Sequence, residues 1–109
     1  MERRRVVITG MGALTPLGLT AAESWAAVKA GKCGIAPITL YDASNMKAKL
    51  AGEVKGFDPA NYMEKREARK VDRFAQLALA AAKEAVEQSG LDMSKEKDPY
   101  RCGVIFSTG

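Results

Sequence analysis

Arg4-Arg5-Val6-Val7-Ile8-Thr9-Gly10-Met11-Gly12-Ala13-Leu14-Thr15-Pro16-Leu17-Gly18 is the stretch whose reading decides the fold. Val6-Val7-Ile8 is a continuous β-branched run, the pattern of a strand buried on both faces of a parallel sheet. A strand over 5–9 therefore runs into a turn relieved by Gly10 and Gly12. Thr20 and Glu23 follow at capping-box spacing and open a helix. Its apolar stripe is Trp25 and Val28, and Gly31 stops it. Glycines in this place invite a dinucleotide reading, which the spacing rejects. Gly-x-Gly-x-x-Gly needs a third glycine where Thr15 stands. The acidic ribose ligand expected about 20 residues further on has no candidate. Gly10, Gly12 and Gly18 are architecture that lets the backbone turn sharply.

Outward from there, residues 32–47 hold Gly34, Pro37, Asp42, Ser44 and Asn45 and read as irregular. A short extended piece is expected over 48–54, interrupted by Gly52. Asp58-Pro59 has the form of an N-cap followed by proline at the first helical position, which predicts a turn or two through Tyr62. The spacing then predicts a long helix over 70–89. Phe74, Leu77, Ala78, Ala81, Ala82, Ala85 and Val86 form a face made largely of alanine, able to pack very close to a neighbour. Arg73, Gln76, Lys83, Glu84, Glu87 and Gln88 form its polar face, and Gly90 is the expected stop. Residues 92–100 are a polar loop. Residues 102–106 read as a second buried strand, and Ser107-Thr108-Gly109 begins a turn. Apolar strands separated by helices imply an α/β fold with a parallel sheet. Such a sheet needs more than two strands and cover on both faces, so the chain reads as incomplete.

Composition narrows the chemistry. The 109 residues suit one small domain or part of a larger one, and 47% apolar content excludes compositional disorder. No apolar run approaches the roughly 20 residues of a membrane span. Arg3, Arg4 and Arg5 precede only Val6-Val7-Ile8, too short for a signal-peptide core, so the cytoplasm is expected. The net charge of +4 is spread along the chain with few aromatics among it. That favours a modest basic patch for an acidic partner over nucleic acid. The chain has no histidine, which removes His-based acid–base chemistry, Ser-His and Cys-His dyads, and most zinc sites. Cys33 and Cys102 have no metal-type spacing.

Taken together the motifs resemble the β-ketoacyl-acyl-carrier-protein synthases, the condensing enzymes of fatty-acid synthesis, and most closely their type II subgroup. The opening through Gly18, Trp25 with Gly31-Lys32-Cys33-Gly34-Ile35, and Ala51-Gly52-Glu53-Val54-Lys55 carry the likeness. So do Phe57-Asp58-Pro59, the run from Arg66 to Phe74, the alanine-rich helix and the run from Arg101 to Gly109. The resemblance implies a thiolase-like fold, of which residues 1–109 are the N-terminal part of the first domain, only the beginning of its first βαβαβ half. It implies a homodimer without a cofactor and a decarboxylating Claisen condensation with malonyl-carrier protein. In that reaction a cysteine at a helix N-terminus takes the acyl group, and two histidines with a backbone oxyanion hole stabilise developing charge. No catalytic residue of that mechanism falls within these 109 residues. Cys33 stands where serine is usual and Cys102 precedes a strand, so neither matches the nucleophile and the segment alone is expected to be inactive.

One functional feature does fall inside. Arg66, Arg69 and Lys70 occupy basic positions that, in the family, face the acidic acyl carrier protein. Their i, i+3, i+4 spacing predicts one helical face. Lys65 adds to the field, and Glu64 and Glu67 partly neutralise it. The runner-up reading is a non-catalytic, chain-length-determining partner of a polyketide ketosynthase. A third is a free-standing module that binds acidic partners.

Overall fold

Thr20 opens the first helix, α1 (Ala21–Lys29). Its hydroxyl accepts the Glu23 amide at 3.1 Å, and the Glu23 carboxylate accepts the Leu19 amide at 2.9 Å, a capping box that closes on the residue before the cap. Gly31, at φ 70°, turns the chain away as expected. The stripe expected on this helix is corrected. Ser24 and Ala27 are its buried residues, while Trp25 and Val28 stay exposed. The register is set by a polar contact that hydrophobicity alone does not reveal. Ser24 can be buried because its hydroxyl shares a 2.7 Å hydrogen bond with the Thr15 hydroxyl.

A computed structural model describes residues 1–108; Gly109, the end of the expected terminal turn, lies outside the described residues. After α1 come β1 (Ile35–Pro37) and β2 (Leu50–Gly52), paired antiparallel with Ala36 opposite Ala51. The second was expected as an extended piece; the first lies in a stretch read as irregular. What steadies the pair is Glu53, which is 8% exposed. Its carboxylate accepts the Thr39 amide and hydroxyl and the Leu40 amide, each at 3.0 Å. A 3-10 turn (Pro59–Asn61), a short helix α2 (Lys65–Ala68) and the long helix α3 (Arg73–Ser89) follow, then 3-10 turns at Met93–Lys95 and Pro99–Arg101. Gly90, at φ 70°, ends α3 as expected.

The expected parallel strands are also corrected. Among the described residues neither 5–9 nor 102–106 joins a ladder, and the sheet is the antiparallel pair of β1 and β2. Val6 is 92% exposed and Ile105 97%. A β-branched run reports a preference for a covered, pleated setting, but a strand also needs a neighbour in register. The tight turn sits further on than expected, at 15–18. Thr15 and Gly18 exchange backbone hydrogen bonds of 2.9 and 3.2 Å around Pro16-Leu17.

α3 is where the first segment is held. A Cβ on Gly12 would fall on the Ala81 carbonyl oxygen, and one on Gly10 would fall on that of Ala85. Neither glycine has a positive φ, so they serve close approach to the alanine face rather than a sharp turn. The expected polar face of α3 is in part an anchoring face. Gln88 Oε1 accepts the Met11 amide at 2.6 Å. Glu84 Oε2 accepts the Ala13 amide at 2.9 Å, and its Oε1 accepts the Ala21 amide at 3.0 Å. Ala80, on the same helix, is fully buried.

Two expected outcomes follow from this seam and from the hairpin. Gly12→Ala should destabilise by about 1–3 kcal/mol, read as a lower urea midpoint at unchanged slope, because backbone rather than a flexible side chain must give way. An unchanged midpoint would remove the close-approach role. At Glu53, burial opposes ionisation, but hydrogen bonds from Thr39 and Leu40 and the field of Lys55 outweigh it, so its pKa lies below the ordinary 4.5. The hairpin's carboxylate-dependent stability is then complete above pH 4.5 and is lost as pH falls through the lowered value. The Thr39 and Leu40 amide resonances should titrate together with a midpoint below 4.5. A midpoint at or above it would contradict this assignment.

Candidate functional site

An aromatic pair lies just ahead of the basic cluster in the chain. Phe57 is buried, and the Tyr62 ring stacks on it with centroids 5.5 Å apart. The Arg73 guanidinium lies 4.8 Å from the Phe57 ring centroid and donates to the Val54 carbonyl at 3.4 Å. Between these aromatics Asp58 caps the 3-10 turn, accepting the Ala60 amide at 2.9 Å, with Pro59 first in the turn as expected. Gln76 of α3 reaches back and donates to the Ala68 carbonyl at 2.8 Å. That carbonyl is one of those a helix C-terminus leaves without a partner, so the bond ties the end of α2 to α3.

Lys65 and Arg66 belong to α2, which ends at Ala68. Arg69 is its C-cap residue and keeps a helical conformation at φ −72°, ψ −16°, and the Lys70 amide donates to the Glu67 carbonyl at 2.9 Å. The helix is therefore shorter than the spacing implied, but its turn continues through all the expected positions. At about 100° per residue, Lys65, Arg66, Arg69 and Lys70 fall within an arc of about 140°. All four are exposed. Among the described residues no salt bridge holds any of them; the pair formed is Lys95 with Asp92, at 3.5 Å. Glu64 and Glu67 are exposed beside them without pairing. The cluster is a patch of unspent positive charge on a fixed base, suited to an acidic surface.

The structure also shows a hollow that the sequence reading missed. About 330 Å³ of space beside the cluster is lined by Asp58, Pro59, Ala60, Lys65, Ala68 and Arg69. It arises where the 3-10 turn meets α2, and the small side chains of Ala60 and Ala68 were its one trace in the sequence. A larger groove, about 420 Å³, runs between Phe74, Ala78, Leu79 and Ala82 of α3 and Val104 and Phe106. No titratable side chain lines it. Cys33 and Cys102 are both free and exposed, and the Cys33 thiol lies 3.9 Å from the Ile35 carbonyl oxygen, a contact with backbone rather than with a base. Among the described residues no helix is long and apolar enough to cross a membrane.

Comparison with known proteins gives a consistent result. Residues 3–109 match the family model described as "Beta-ketoacyl synthase, N-terminal domain". The chain is 47% identical over 109 residues to the 3-oxoacyl-[acyl-carrier-protein] synthase 2 of Vibrio cholerae and 45% identical to that of Coxiella burnetii. Each match covers 100% of this chain and 26% of the relative, so the chain spans about a quarter of the length of the curated relatives it matches. A solved structure, "The ishigamide ketosynthase/chain length factor", superposes with a TM-score of 0.77 at 35% identity, covering 85% of this chain and 23% of that one. The α/β, thiolase-like expectation is borne out: the short helices and small sheet are part of a ketosynthase architecture.

Proposed function

The chain belongs to the β-ketoacyl synthase N-terminal-domain family, and from that premise we propose that its full-length protein is a 3-oxoacyl-acyl-carrier-protein synthase whose carrier docks on Arg66, Arg69 and Lys70. The observation that carries the docking assignment is the exposed cluster on and just after α2, which is in no salt bridge among the described residues. The likeness to two 3-oxoacyl-[acyl-carrier-protein] synthases supports the elongating enzyme over a non-catalytic chain-length partner. On this reading residues 1–109 are the N-terminal part of the first thiolase-like domain of a cytoplasmic homodimer. The chemistry then runs on residues outside this segment. A cysteine thiolate takes the acyl group from its carrier thioester. Malonyl-carrier protein loses carbon dioxide, and the resulting carbanion attacks the acyl-enzyme carbonyl. The thiolate leaves, and 3-oxoacyl-carrier protein is released. Arg66, Arg69 and Lys70 touch no reacting atom. Their part is to draw an acidic carrier to the entrance and to fix its approach.

Charge reversal tests this directly. Arg69→Glu or Lys70→Glu in the full-length protein should raise KM for carrier-bound substrate about three- to tenfold at low ionic strength. The effect should shrink as salt shortens the Debye length to a few Å. Turnover of a small thioester without a carrier should hardly change. Equal losses with both substrates would mean that these residues support the fold instead.

A further inference from the structure

We propose that the hollow between the 3-10 turn and α2 is a specificity pocket for one bulky apolar side chain of the carrier protein, presented between carboxylates. This rests on the docking assignment above and adds an apolar anchor to it. The hollow has two kinds of wall. Pro59, Ala60 and Ala68 supply apolar surface, and Lys65 and Arg69, one helical turn apart, supply positive charge. Asp58 also lines it, but its carboxylate accepts the Ala60 amide at 2.9 Å and is committed to capping the turn. Neither cation is held in a salt bridge among the described residues. Arg66 and Lys70 do not line the hollow, so the cluster divides into a pair that frames a pocket and a pair that only adds field.

The charge on the rim selects the occupant. An apolar side chain on a neutral or basic surface would leave Lys65 and Arg69 facing nothing or facing repulsion. One set among carboxylates fills the hollow and neutralises both cations together. Charge at a rim chiefly governs encounter, whereas an apolar side chain seated in a pocket governs how long the complex lasts. The hollow is shallow and open to solvent, and its volume of about 330 Å³ accepts a leucine- or methionine-sized side chain. Its two walls are each tied down, because Gln76 holds the Ala68 carbonyl at 2.8 Å and Asp58 holds the turn.

Ala60 is exposed, so it can be enlarged without disturbing a core. In the full-length protein Ala60→Trp should raise KM for carrier-bound substrate about tenfold, with little dependence on salt and no change for a small thioester. Ala60→Lys fills the same space while adding positive charge. An apolar anchor requires it to raise that KM as well, whereas docking by charge alone would lower it. If Ala60→Trp slows both substrates through misfolding, Ala60→Lys decides. An unchanged or lowered KM in Ala60→Lys overturns the pocket. Should Arg69→Glu still act in a salt-dependent way in that case, the docking assignment survives and only the pocket fails. Should neither position respond, both fail.

Discussion

The Glu84 carboxylate is the contact on which the rest of the structure depends. It accepts the Ala13 amide at 2.9 Å and the Ala21 amide at 3.0 Å, so one side chain of α3 fixes both the first segment and the start of α1. Ala21 opens α1, and its amide is one of the donors that a helix start leaves without a partner. An anion there is also favoured by the helix dipole. These contacts join residues 71 and 63 positions apart and close long loops of chain. They are possible only because Gly10 and Gly12 let the backbone lie on the alanine face of α3. Close approach and hydrogen bonding thus depend on each other.

The same helix supports the basic cluster. Its later turns, at Ala81, Glu84, Ala85 and Gln88, hold the N-terminal segment. Its first turns hold α2, through Gln76 on the Ala68 carbonyl, and the segment ahead of the 3-10 turn, through Arg73 over the Phe57 ring. A patch of charge is useful for recognition when its base does not move. Here Lys65, Arg66, Arg69 and Lys70 sit on a short turn that could not stand alone but is tied to the helix carrying the fully buried Ala80. That link explains how a helix of four residues can present a defined surface.

How much of this could be read beforehand follows the range of each interaction. Local signals were legible: the Thr20 cap, Gly31 and Gly90 as stops, the Asp58-Pro59 turn, and the existence of α3. Partners distant in sequence were not. Glu84 and Gln88 read only as part of a polar face because nothing near them in sequence shows that backbone amides from residues 11–21 arrive there. Ser24 looked polar and Trp25 apolar, yet a hydroxyl partner at Thr15 put Ser24 inside. β1 has three residues, too few for any period to be seen. In the candidate site the cations were legible from spacing and resemblance, whereas the hollow required two separate elements to meet.

The most direct measurement is amide hydrogen exchange in the full-length protein carrying Glu84→Leu, which keeps helix propensity and removes the acceptor. The Ala13 and Ala21 amides should exchange about tenfold faster or more, while the Thr39 and Leu40 amides, held by Glu53, keep their rates. Unchanged exchange at Ala13 and Ala21, or an equal rise at all four amides, would contradict the role given to Glu84.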